Sequence, residues 1–247
     1  MRFAALADIH GNALALEAVL VDLERQAITD VVNLGDVLSG PLDPHTVAER
    51  LIPLGWPTVR GNHDRYLLEQ NPSQMGPTDA VTHEALAPAH FDWLRTLPFS
   101  LVPFEGVFAC HATPLTDERY WMERVEPDGM IRQATLAELH AELDNVSSEA
   151  RLLLCGHTHI PRLARLSSGA LLVNPGSVGC PAYDDVVPVP HVMQTGTPNA
   201  SYAILQQENG VWDVTFRSVP YDHHGAAAQA HGYNRESWAK GLESGWL

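Results

Sequence analysis

Arg2-Phe3-Ala4-Ala5-Leu6-Ala7-Asp8-Ile9-His10-Gly11-Asn12 is the stretch on which the fold turns. A compact apolar run ends at an aspartate and a histidine two residues apart, and a helical pattern begins at once. From Asn12 onward Leu16, Val19, Leu20, Leu23 and Ala27 recur at three- and four-residue spacing, so a strand over 2–7 precedes an amphipathic helix capped by Asn12. Residues 31–34 read as a second strand ending at Gly35-Asp36. Asp43-Pro44 supplies a cap and a first-turn proline for a helix running to about Leu54. Residues 57–60 then read as a third strand. This alternation with short connections predicts βαβ units, hence an α/β fold with a mainly parallel sheet.

Beyond it, residues 65–95 read as short helices broken by Pro72, Pro77 and Pro88, packed beside the sheet. Residues 101–104 and 107–110, separated by Glu105-Gly106, form a hairpin pattern. A second helical insertion is expected at about 112–145, clearest where Leu136, Leu139 and Leu143 repeat. Strands follow at 151–155, 170–173, 201–205 and 211–219. Residues 183–199, with Pro188, Pro190 and Pro198, read as a long loop able to act as a lid, and 222–247 as a helical tail. No domain boundary stands out, so one domain over 1–247 is expected.

Composition excludes several classes. Apolar residues at 45% and charged residues at 18% describe an ordinary globular chain and exclude disorder or a fibrous repeat. No apolar run nears the roughly 18 residues that cross a bilayer, and the first one stops at Asp8, too early for a secretory signal; a cytoplasmic location with no membrane partner is expected. Cys110, Cys155 and Cys180 are odd in number and widely spaced, which suits a reducing compartment. The first two lie in apolar runs and read as core; Cys180 follows glycine-rich sequence and reads as a candidate exposed thiol. Fifteen Lys plus Arg against thirty Asp plus Glu give a net charge of −15, which makes non-specific nucleic-acid binding unfavourable. A phosphate substrate therefore requires a local positive source.

The thirteen histidines point to that source. Asp8-Ile9-His10, Gly35-Asp36, Gly61-Asn62-His63-Asp64, Cys110-His111 and Gly156-His157-Thr158-His159 each fall at or just beyond a strand's C-terminal end. In open α/β sheets, loops from several strands converge there to form sites. Two carboxylates, a carboxamide oxygen and several imidazoles are the ligand set of divalent transition metals, two ions better than one. Each pair alone is more often a surface, turn or capping arrangement than a ligand pair; the argument rests on all of them occurring in order. The other eight histidines, at 45, 83, 90, 140, 191, 223, 224 and 231, match no motif.

This ordered set resembles the calcineurin-like metallophosphoesterase superfamily, from Asp8 to His159 and on through Asn174-Pro175-Gly176-Ser177, a segment similar to one in its small prokaryotic phosphodiesterase branch. The resemblance implies a four-layer αββα sandwich of two mixed sheets flanked by helices. It implies one metal on Asp8, His10, Asp36 and His159 and another on Asp36, Asn62, His111 and His157, with Asp36 bridging ions about 3.5–4 Å apart. A metal-bridging hydroxide would attack phosphorus, with His63 as general acid at the leaving group. Manganese is the first expectation for the two ions, with iron, zinc or nickel as alternatives. In the protein-phosphatase branch that histidine pairs with an aspartate of a G-D-x-x-D-R-G motif. Here Ser39 and Gly40 stand in place of that aspartate and the following arginine, which puts the dyad in doubt and points to the diesterase branch.

The expected activity is a dinuclear phosphodiesterase acting on a small phosphorylated substrate such as a nucleotide. The alternative is a dinucleoside polyphosphate hydrolase acting on diadenosine tetraphosphate. That alternative needs a stacking platform, with Arg119, Tyr120 or Tyr183 as candidates, while Trp121 reads as core. A non-catalytic scaffold subunit is a third reading, which the intact ligand set disfavours.

Overall fold

The computed structural model describes residues 1–247. The chain runs β1 (Arg2–Leu6), α1 (Ala13–Arg25), β2 (Val31–Asn33), α2 (Pro44–Leu51), α3 (Asn62–Glu69), α4 (Pro77–Ala85), α5 (Pro88–Thr96), β3 (Ser100–Phe104), β4 (Val107–Cys110), β5 (Glu123–Val125) and β6 (Ile131–Gln133). It continues through α6 (Leu136–His140), β7 (Leu152–Leu154), β8 (Arg162–Arg165), β9 (Leu171–Asn174), β10 (Ala182–Asp185), β11 (His191–Gln194), β12 (Ala200–Glu208), β13 (Val211–Val219), α7 (His223–Gly232) and α8 (Glu236–Ser244). Asn12 caps α1 by accepting the Ala15 N–H, and Asp43 caps α2 through Thr46.

Two mixed sheets result, ordered β13-β12-β1-β2 and β3-β4-β7-β9-β8. β1 and β2 are parallel, as are β4, β7 and β9, while β12, β3 and β8 join antiparallel. The two-residue period of each strand divides its side chains between layers. Phe3, Ala5 and Ala7 face Val107, Ala109, Leu152 and Leu154 in the core between the sheets. Ala4 and Leu6 point the other way, into a core with Leu16, Val19, Leu23 and Leu94 from the helices. Phe108, Cys110, Leu153 and Cys155 bury the outer face of the second sheet against Trp121, Met122 and Leu139. Helices, sheet, sheet and an outer cover make the expected four-layer sandwich.

Four local expectations change. Residues 57–60 form a single parallel bridge, Asn33 to Thr58, in place of a third strand. Residues 112–145 hold the β5–β6 hairpin and the five-residue α6, so that insertion is mostly not helical. Residues 183–199 contain most of a second hairpin, β10–β11, whose prolines at 188 and 190 lie in the connection where no ladder N–H is needed. Cys180 is 2% exposed, a buried thiol like Cys110 and Cys155. β8 carried no recognised signal. No helix is long and apolar enough to cross a membrane.

Candidate metal centre

The turns leaving β1, β2, β4 and β7 are tied to one another through the backbone. Asp8 N–H donates to Gly35 O, His10 N–H to Asp36 O, and Gly156 N–H to His111 O. The His157 N–H reaches the Asp8 carboxylate at 3.0 Å. Asp8, His10, Asp36, His157 and His159 all have positive φ, between 50° and 70°. Non-glycine residues in that region cost on the order of 1–3 kcal/mol each and persist where the surroundings over-determine them. Five of the seven expected ligands carry that strain.

Close backbone approach is the other requirement. A Cβ at Gly61 would lie 2.1 Å from Asp36 Oδ1, so only glycine lets the 61–64 turn close over Asp36. Asp64 then fastens the turn. Its buried carboxylate accepts the N–H groups of Asp36 (2.9 Å), Val37 (3.1 Å) and Gly61 (3.0 Å). Burial and the neighbouring Asp36 charge push its pKa up to about 6. Sequence reasoning quoted this aspartate without giving it a role. Asn174 likewise donates to Gly156 O (2.7 Å) and Thr158 Oγ1 (3.0 Å), and Ser177 Oγ to Asp8 O (2.7 Å), so residues 174–177 brace the two aspartate and histidine turns.

All seven expected ligands come together. Asp8, His10 and His159 converge with ligand atoms within 4.8 Å of one another, as do Asp36, His111 and His157. Asp36 Oδ2 joins the groups, 3.3 Å from His111 Nε2 and 3.9 Å from His10 Nε2. Asn62 Oδ1 lies 3.0 Å from His111 Nε2.

The imidazoles are oriented by carbonyls. Nδ1–H of His10 donates to Ser39 O (2.6 Å), that of His111 to Leu34 O (2.7 Å) and that of His159 to Cys180 O (2.7 Å), leaving each Nε2 directed inward. His157 is reversed: its Nε2–H donates to Glu118 O (3.0 Å), leaving Nδ1 inward. With both Nδ1 protons committed, His10 Nε2 and His159 Nε2 stand 3.2 Å apart. A proton on His159 or a metal ion fills the space between two such nitrogens, and 3.2 Å suits two adjacent donors on one ion bonded at about 2.0–2.2 Å. The residues therefore fit a pair of divalent metal ions.

Electrostatics gives the same answer. Burial opposes charge on all four imidazoles and wins at His10 and His157, whose pKa values fall to about 4. At His111 the Asp36 carboxylate overcomes burial and lifts the pKa to about 9, while Asp8 holds His159 well above the usual value. Each cluster thus sets a neutral imidazole beside a carboxylate, Asp8 or Asp36, whose negative charge stabilises a positive charge next to it.

His63 stands at the edge of this centre, its side chain about a third exposed, with its ring 5.7 Å from that of His10. Its partner comes from elsewhere than position 39. Nδ1–H donates to Asp79 Oδ1 at 2.9 Å, and Ser39 Oγ donates to the same oxygen at 2.5 Å. An Asp–His dyad exists after all, with its carboxylate from α4. Burial opposes the charge on His63, but Asp36 and Asp79 push its pKa up to about 9. Position 40 leaves no room for the expected arginine, since a Cβ there would meet His10 O at 1.8 Å. Asp79 belongs to no motif and carried no sequence signal; Thr82, a turn later on the same face, also bonds the 39–40 turn through Gly40.

The proposed stacking residues are otherwise engaged. Arg119 pairs with Glu142 (3.0 Å). Tyr120 lies against His157, ring centroids 5.0 Å apart, and its hydroxyl meets His191 Nε2 at 3.0 Å. Tyr183 packs edge-on to His159 at 4.6 Å, its hydroxyl 2.9 Å from that of Tyr120. These tyrosines buttress the histidines, and His191, read as unassigned, supports them. Trp121 is core, as expected, its indole N–H bonded to Leu139 O.

The centre lies in a cleft of about 880 Å³. Among solved structures, the fold and its full length match a metallophosphoesterase from Sphaerobacter thermophilus, at TM-score 0.74 and 26% identity over 99% of both chains. A putative diadenosine tetraphosphatase shares the fold at TM-score 0.52 and 19% identity, over 87% of this chain and 93% of that one. An uncharacterised protein of Methanocaldococcus jannaschii is 26% identical over 241 residues, 89% of this chain and 87% of its own. The sequence model of the calcineurin-like phosphoesterase superfamily domain matches residues 1–209, and the chain belongs to that superfamily.

Proposed function

We propose that the protein is a dinuclear metal-dependent phosphodiesterase. Asp8, His10, Asp36 and His159 would hold one ion and Asp36, Asn62, His111 and His157 the other. The observation that carries this reading is Asp36 Oδ2, within 4 Å of a histidine nitrogen in each cluster. Two ions bound there would supply Lewis-acid charge and an activated water for attack on phosphorus. The chain's own residues do the rest. His63, protonated and aligned by Asp79, presents Nε2–H to the leaving-group oxygen, where a proton is needed as the P–O bond breaks. The carbonyls of Leu34, Ser39 and Cys180 keep three imidazoles in one tautomer, so the centre need not reorganise during the reaction. Diester preference follows the resemblance of Asn174-Pro175-Gly176-Ser177 to a segment of the small prokaryotic phosphodiesterase branch.

The test is turnover by chelator-stripped protein after Mn²⁺ is returned, with matched aryl phosphodiester and phosphomonoester substrates, diadenosine tetraphosphate, and Asp36→Ala as control. Metal-dependent diester hydrolysis lost in the control is expected. Preferential turnover of diadenosine tetraphosphate at low concentration would replace the diesterase reading. Absence of turnover with Mn²⁺, Fe²⁺, Zn²⁺ and Ni²⁺ would refute catalysis.

A further inference from the structure

Three arginines line the cleft that holds the candidate metal centre: Arg119, Arg124 and Arg235. Two are neutralised. Arg119 is bound to both oxygens of Glu142, and Arg124 lies 3.7 Å from Glu138 and 3.9 Å from Glu142 while donating to the carbonyls of Tyr120 and Trp121. Arg235 differs. It makes no ion pair, its one hydrogen bond is from a terminal nitrogen to the neutral Thr78 Oγ1 (3.1 Å), and its buried Nε–H has no partner. A buried guanidinium donor left unsatisfied costs free energy that a ligand oxygen would recover.

Its position is fixed from two sides. Thr78 adjoins Asp79, the partner of His63, so the anchor of Arg235 lies next to the dyad. Three residues on, Trp238 packs edge-on to the His10 ring at 5.7 Å, and Ser237 Oγ bonds Asp184 on β10 (2.5 Å). The acidic groups around the cleft have partners of their own: Glu118 has Arg65 and Tyr66, Glu123 has Arg162 on one oxygen while its buried Oε2 has none, and Asp185 has the N–H groups of Val186 and Val187. Arg235 also lies beyond residues 1–209 matched to the superfamily, among the C-terminal helices that follow them.

We propose that Arg235 binds a non-bridging phosphoryl oxygen of the substrate, donating from Nε and a terminal nitrogen. This rests on the phosphoesterase reading and supplies what an acidic protein of net charge −15 needs beside its metals, a fixed cation for an anionic substrate. It also gives the helical tail a place in the site: α7 and α8 dock through Ala226, Ala230, Ala239 and Leu242 and carry the guanidinium to the cleft.

Two measurements test it, with inorganic phosphate as probe. In Mn²⁺-loaded Arg235→Ala, KM for bis(4-nitrophenyl) phosphate and the inhibition constant of inorganic phosphate rise about tenfold or more, the loss of a charged hydrogen bond, with a smaller change in kcat. Added guanidinium restores part of the loss, and Arg119→Ala shows neither effect. Unchanged KM and inhibition constant in a folded, metal-loaded variant overturn the proposal. In wild-type protein, independent of any variant, inorganic phosphate slows phenylglyoxal modification of Arg235; modification at the same rate with and without phosphate also overturns it. If the wild type binds metal and phosphate protects Arg235 yet no ester is hydrolysed, the phosphoesterase reading fails while the anion site stands.

Discussion

Asp79→Asn tests the dyad with almost no change of shape. Asp79 is 5% exposed, and one of its oxygens accepts both Ser39 Oγ–H and His63 Nδ1–H. An asparagine that turns its oxygen the same way keeps both hydrogen bonds and loses the charge. A hydrogen bond to a charged group contributes about 1.5–3 kcal/mol and a neutral one about 0.5–1.5, so the imidazolium loses roughly 1–1.5 kcal/mol. At about 1.4 kcal/mol per tenfold, kcat falls roughly tenfold when the leaving group needs a proton. His63→Asn sets the ceiling, since general acid catalysis is worth about 10²–10⁴. The assay is kcat with saturating Mn²⁺ across aryl phosphodiesters of increasing leaving-group basicity, for both single variants and the double variant. The deficit of Asp79→Asn grows with leaving-group basicity and vanishes in the His63→Asn background. If Asp79→Asn costs as much in that background as in wild type, the carboxylate acts elsewhere and the dyad assignment is wrong.

Asp64→Asn removes one of the two oxygens that accept three buried N–H groups, so urea unfolding should show a loss of about 1–3 kcal/mol together with weaker Mn²⁺ binding by calorimetry; an unchanged midpoint contradicts the role given to Asp64. Gly40→Ala forces a Cβ against His10 O, and we expect loss of metal binding with α/β circular dichroism retained; full activity would show the turn to be pliable. Asp22 links α1 to β12 and β13, accepting both Arg217 nitrogens at 3.0 Å and the Tyr202 hydroxyl at 2.8 Å. Burial alone would raise its pKa, but these partners hold it below the ordinary carboxylate value. Because the folded value is the lower one, its stabilisation is present above about pH 4 and lost as pH falls through the folded pKa. Wild type is thus more stable than Asp22→Asn at pH 6, and their urea midpoints converge as pH falls through the depressed folded pKa; a constant gap would contradict the linkage.

Much of the fold was legible because β1, β2, β4, β7 and β9 are buried on both faces and therefore read as apolar runs, and because Asn12 and Asp43 mark helix starts chemically. What failed was local. Thr58 pairs with Asn33 only through Asn33 N–H to Pro57 O and Val59 N–H to Asn33 O, too little to register as a strand. The β10–β11 hairpin was hidden by the prolines of its own connection, although His191 and Met193 alternate inward against exposed Val192 and Gln194. The candidate ligands were legible because the residue types that bind metal are few and lie at strand ends. Asp79 and Arg235 were not, since each reaches the cleft from a helix whose docking no short word in the sequence records.

Position 40 shows why motif reading misled at that point. The 39–40 turn passes so close to the His10 carbonyl that no side chain fits at residue 40, and Ser39 turns its hydroxyl to Asp79. The turn therefore cannot carry an arginine at position 40 and still lie against His10. α4 and α8 can reach the space it leaves open: α4 supplies a carboxylate to His63, and Arg235 at the start of α8 supplies a guanidinium whose Nε–H is free. The chemical requirement at the cleft, an acceptor behind the histidine and a cation beside the metals, is met by residues 40 and 195 positions further along the chain than the motif would place them. A missing motif residue thus argues against a chemical role only after the three-dimensional neighbourhood has been searched for its substitute.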